Sequence, residues 1–102
     1  ETERALTYLD KAVELNPAVS GRANLVRAQI YASTKKFVDA INFCDLAASE
    51  DVSISGSANR LKEKIQEVKQ KHDEYERQNA AYEAEKAKRK KEEDFWKAGG
   101  AQ

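Results

Sequence analysis

AINFCDLA, residues 40–47, falls on ALTYLDKA, residues 5–12, when the sequence is displaced against itself by 35 positions. Ala5 meets Ala40, Leu6 meets Ile41, Tyr8 meets Phe43, Leu9 meets Cys44, Asp10 meets Asp45 and Ala12 meets Ala47. In each copy two alanines stand seven apart, with Leu9 or Cys44 between them at helical spacing. A helix puts such a trio on one face. Alanine lets a neighbouring helix approach closely, so the alanines mark a helix crossing. The bulky Leu6, Tyr8, Ile41 and Phe43 are expected to fill the space beside it.

Upstream of the second copy, GRANLVRAQIYASTKKF (21–37) supplies a preceding helix with Leu25, Ala28 and Tyr31 as its packing stripe. STKK (33–36) is a short polar break, and Phe37 closes the turn. Residues 20–52 therefore read as a helical hairpin and residues 1–17 as the second helix of a partial repeat. Pro17 ends that first helix, because proline cannot continue the helical ladder.

These marks resemble a tetratricopeptide repeat, which pairs two helices over about 34 residues. The family's small residue and aromatic of the first helix are matched by Ala28 and Tyr31, and its aromatic at the turn by Phe37. Its two alanines of the second helix are matched by Ala40 and Ala47, while Ala5, Ala12 and Pro17 represent the partial copy. No Trp or Leu opens the first helix, and Val52 stands where a second proline would be. The resemblance covers roughly residues 3–52. It implies an all-α fold of stacked hairpins and a role in protein–protein interaction, as an adaptor or co-chaperone-like scaffold.

The third segment reads differently. DVSISGSA (51–58) is expected to be a loop in which Ser55 or Ser57 caps the next helix. Glu63 and Gln66 stand where the repeat would put a small residue and an aromatic, so the offset is read as failing here. Neither Gly nor Pro occurs between Ser57 and Ala98, which predicts one long capping and projecting helix over about 53–98 and a flexible tail at 99–102. Leu61, Ile65, Val68, His72, Tyr75, Asn79 and Tyr82 step along it as a heptad seam. The first three are assigned to packing on the last repeat. Glu67–Lys71, Asp73–Arg77, Glu85–Arg89 and Glu93–Lys97 support the remainder as i,i+4 pairs, each worth about 0.2–0.5 kcal/mol.

Composition sets the functional class. The 102 residues suffice for one small domain, 35% of them charged, with Lys+Arg and Asp+Glu both 18 and a net charge of zero. That balance argues against a dedicated nucleic-acid or acidic-membrane binder. No apolar run approaches the about 18 residues of a membrane span. The single cysteine, Cys44, cannot form an internal disulfide, which fits a reducing, cytoplasmic setting. ETERAL carries neither an initiator Met nor a signal segment, so the chain reads as a piece of a longer protein with further repeats before Glu1.

No catalytic set is visible: there is no Ser/His/Asp constellation and no phosphate loop. His72 has no Cys or second His near it in sequence and reads as a seam residue rather than a metal ligand, so neither metal nor cofactor is expected. Cys44 at a packing position reads as an inert thiol. Two protein-binding surfaces remain. In the family the first helices line a groove for a peptide, which here points to Arg22, Val26, Gln29 and Ser33. The clamp that holds a C-terminal carboxylate in chaperone-binding members is not matched, since Val26 follows Arg22 where a second polar or basic residue is needed. The second surface is the long helix, through Tyr75, Tyr82, Phe95 and Trp96, where self-association is the competing reading. KAKRKK (86–91) could contact nucleic acid or serve nuclear import, but Glu92, Glu93 and Asp94 follow at once and cancel much of its field. DFWKAGGA is also similar to the opening of a J domain at Asp94, Phe95, Trp96, Lys97 and Gly100, with Gly99 in place of the leucine and no His-Pro-Asp in the chain.

Overall fold

The computed structural model describes residues 1–99; of the tail expected at 99–102, Gly99 lies in a turn and residues 100–102 lie outside the described residues. The fold is all-α, with a long C-terminal helix. Helix α1 spans Thr2–Leu15, α2 Ser20–Ser33, α3 Phe37–Glu50 and α4 Ser55–Lys97, with single 3-10 turns at Pro17–Val19 and Val52–Ile54. The chain divides into two units, residues 1–69 and 70–102.

The core of the first unit is built from small residues. Ala28, Phe37, Ala40, Cys44 and Ile65 form one buried cluster, flanked by Tyr31, Ala32, Ile41, Phe43 and Leu61. Ala40, Cys44 and Ala47 are all essentially inaccessible, as their spacing requires of a crossing face. The Tyr31 ring stacks on Phe43 with centroids 5.2 Å apart. Between α2 and α3 the chain turns through a Schellman motif, with Lys36 N–H donating to Tyr31 O (2.9 Å) and Lys35 N–H to Ala32 O (3.1 Å). Lys35 occupies the left-handed position of that motif, at φ 64°.

The 35-residue period extends further than the helix faces. Asn16 and Asp51 are both extended (φ −146° and −139°), and each donates its N–H to a repeat alanine, Ala12 O at 2.9 Å and Ala47 O at 3.1 Å. Each side chain then accepts from the N–H two residues on, Ala18 at 3.2 Å and Ser53 at 3.0 Å. Asparagine and aspartate are interchangeable as such acceptors. A 3-10 turn follows each, and a helix begins at Ser20 or Ser55.

The third segment corrects the sequence reading in three places. First, α4 opens as a repeat. Asp10 pairs with Arg27 at 2.8 Å, and 35 residues on Asp45 pairs with Lys62 at 2.8 Å. Ala58 and Ile65 are buried on α4. Second, Ser55 does not cap α4, because its hydroxyl donates back to Val52 O at 3.0 Å and Asp51 holds the junction instead. Third, Val68 is about half exposed rather than buried against the repeat.

Within the second unit, residues 70–97 continue α4 as helix. Every residue from 74 to 98 is exposed, which suits a sequence this rich in charge. Arg89 Nε and Glu85 Oε1 lie 3.6 Å apart as one of the expected pairs. No helix among the described residues is long and apolar enough to cross a membrane.

Candidate interaction surfaces

Helix α2 places Arg22, Val26, Gln29 and Ser33 on one exposed stripe, because steps of four, three and four residues follow the helical period. The structure does not bring the four into a common pocket. Arg22 and Val26 join Leu9 and Ala12 of α1, with Val19 and Ala23, around an open depression of about 310 Å³. Gln29 and Ser33 continue the stripe beyond it, and the Ser33 hydroxyl is used within α2, donating to Ile30 O at 2.6 Å.

Sequence reasoning missed that this depression is lined chiefly by apolar side chains and shared between two helices. The signal was the repeat itself. Displaced by 35, Leu9, Ala12 and Ala23 become Cys44, Ala47 and Ala58, and all three of those are buried. The same displacement turns the Tyr31-stacked Phe43 into Tyr8, which is 69% exposed. Tyr8 was expected to fill space beside the crossing, and on α1 it does not. It borders a second open depression with Glu3, Arg4, Thr7 and Lys11.

Charge at the edge of the groove is organised by the junction residues. The Ser53 hydroxyl donates to the Asp51 carboxylate at 2.5 Å and is the main reason its carboxyl titrates below the ordinary range. The Ser53 N–H and the nearby Arg22 guanidinium act in the same sense. Arg27 is held from two sides, by Asp10 at 2.8 Å and by the buried Asn24 at 2.7 Å, so it is a structural cation rather than an open one. Burial, with Asp45 adding to it, raises the Cys44 thiol above its usual value, and Lys62 opposes only part of that shift.

On the second unit Tyr75 and Tyr82 are exposed one heptad apart. Phe95 and Trp96 pack edge to face at 5.5 Å and remain 54% and 66% exposed. Trp96 shares an open surface depression with Arg89, Glu92, Glu93 and Lys97. Lys86, Arg89 and Lys90 of the basic block share another with Glu93, so acidic and basic groups are mixed there. The His72 ring nitrogens lie 3.8 Å from Asp73 and 3.6 Å from Glu76. Among the described residues no group of three or more His, Cys, Asp or Glu is arranged to hold a metal ion. Gly100 of the J-domain-like stretch lies outside the described residues.

Comparison with protein-family models, with curated proteins and with solved structures finds no match to this chain.

Proposed function

We propose that the chain is a protein-interaction module of the tetratricopeptide-repeat kind, an adaptor or co-chaperone-like scaffold with no catalytic role. It binds a peptide or helix of a partner protein along the Arg22, Val26, Gln29 and Ser33 stripe and the groove that this stripe shares with α1. The observation that carries the reading is the open groove of Leu9, Ala12, Val19, Ala23 and Val26, in which Leu9 and Ala12 are not buried whereas their repeat counterparts Cys44 and Ala47 are. An open apolar groove built on rigid helices is the form that helix and peptide recognition takes. The buried, free thiol of Cys44 suits a reducing compartment, which supports proposing a cytoplasmic setting.

The test is affinity capture from lysate with three forms of the chain: wild type, Val26→Asp, and the double variant Phe95→Ser with Trp96→Ser. Partners lost only with Val26→Asp place recognition on the groove. Partners lost only with the double variant move it to the long helix. No protein retained above a scrambled control sinks the reading.

The exposed Tyr75 and Tyr82 favour one second reading, self-association of the long helix. Sedimentation at increasing concentration decides it: a dimer that Tyr75→Ser and Tyr82→Ser together dissolve supports it, and a monomer throughout removes it.

A further inference from the structure

The charges of the long helix are self-complementary, and their order decides how two copies of it meet. We propose that residues 72–96 of α4 pair with the same residues of a second copy of this chain, antiparallel and centred on Ala84. The inference rests on the self-association reading and adds the direction and register of the pair.

Continuing the steps of four and three past Tyr82 brings Lys86, Arg89, Glu93 and Trp96 onto the same seam. Arg89 and Glu93 border Lys86 in one surface depression and Trp96 in the next, so the face is continuous. Tyr75, Tyr82 and Trp96 are 64%, 65% and 66% exposed along it, with the exposed Asn79, Lys86 and Glu93 at the intervening positions.

Charge selects the occupant and its direction. Residues 70–83 have an acidic excess and residues 84–97 a basic one. An antiparallel second copy sets the acidic half of each helix against the basic half of the other, whereas a parallel copy sets like against like. The layers of the seam repeat this choice. In a parallel pair Lys86 faces Lys86, Arg89 faces Arg89 and Glu93 faces Glu93. In the antiparallel pair Tyr82 faces Lys86 of the second copy, a ring against a cation. Asn79 then faces Arg89, the Tyr75 hydroxyl donates to Glu93, and His72 faces Trp96. Beside the seam Glu76 meets Lys90, twice by symmetry. Glu83 and Glu85 of both copies meet at the two-fold, where the two Lys86 side chains stand between them. A shift by one layer in either direction fails. One shift sets Lys86 against Arg89, and the other sets Trp96 against Ile65, which is already buried within its own chain. So many polar layers make the pair weak and keep it in exchange with its monomer.

Sedimentation of the full chain at increasing concentration is expected to show a dimer. A nitroxide label on Gln70→Cys then reads the direction by electron–electron resonance, Cys44 being buried. Antiparallel copies set residue 70 opposite residue 98, so the two labels lie about 40 Å apart at about 1.5 Å per residue. Parallel copies bring them within about 20 Å. Glu76→Lys is expected to weaken the dimer about tenfold, and Glu76→Lys with Lys90→Glu to restore it, because the pair has only exchanged signs. In a parallel pair the two positions face Lys71 and Glu85 instead, so the double variant is weaker than the single one. Gln70, Glu76 and Lys90 are exposed, so these variants keep the fold, which circular dichroism verifies. A dimer with the short distance, or one that the double variant weakens further, keeps self-association and overturns the antiparallel pairing. A chain that stays monomeric at every concentration overturns both and leaves the seam to a different polypeptide.

Discussion

Five single residues carry consequences that their neighbours do not. Lys35 holds a left-handed conformation, φ 64°, in the Schellman turn, where a side chain costs about 1–2 kcal/mol relative to glycine. Lys35→Gly is therefore expected to stabilise the chain by about 1 kcal/mol, read as a higher urea midpoint at unchanged slope. The two repeat glycines should respond with opposite signs. Gly56→Ala adds a Cβ into open space within a helix and stabilises by about 0.4–1 kcal/mol, whereas Gly21→Ala drives a Cβ onto Asp51 and destabilises. Thermal melts of the pair check this. Asp51 contributes to the acid limb. Its carboxyl titrates lower in the folded chain than in the unfolded one, so its contribution is complete above the ordinary aspartate range near pH 4. That contribution is lost as pH falls through the folded value. Asp51→Asn keeps the acceptor, as Asn16 shows, and is expected to flatten the pH dependence of unfolding below about pH 4. Cys44, buried and raised by burial, should resist aromatic disulfide reagents until the chain unfolds.

At the scale of the element, the same residue type means different things on α1 and α3. Ala47→Leu should cost about 1–3 kcal/mol, because the crossing has no room for it. Ala12→Leu at the equivalent place on α1 should stay within about 0.5 kcal/mol, since Ala12 is exposed. Denaturant unfolding of both variants makes the comparison. The α3 face was legible in the sequence because two alanines and a cysteine at helical spacing suit a close helix crossing and little else. The opening of α4 was not, and the reason is physical. Glu63 and Gln66, which broke the pattern, correspond to residues of α2 that face α3, and among the described residues no such helix follows α4. Only the positions that face backward, Ala58, Leu61, Lys62 and Ile65, are under the constraint that keeps the pattern. The junctions were hidden for a different reason: Asn-Pro-Ala and Asp-Val-Ser look unrelated as letters, although both present one side-chain oxygen to the N–H two residues on.

Across the whole molecule, stability is expected to be uneven. The α2–α3 hairpin owns most of the buried cluster, and residues 74–97 have no buried side chain. Amide hydrogen exchange should show the slowest amides in α2 and α3 and the fastest helical amides from 74 onward. Uniform protection along α4 would contradict this. The all-α architecture and the alanine crossing could be read from residue types alone, while the candidate groove could not. Arg22 and Val26 were found as a stripe on one helix, but Leu9 and Ala12 join them only when α1 packs beside α2.

The first unit also has unlike ends. At one, Leu9, Ala12 and Val26 are left apolar and open; at the other, Arg60, Glu63 and Gln66 occupy the positions that Leu25, Ala28 and Tyr31 hold in α2. Head-to-tail growth into a filament needs two mutually adhesive ends. Arg60, Glu63 and Gln66 are polar and exposed, so among the described residues that end does not present the apolar face such growth uses.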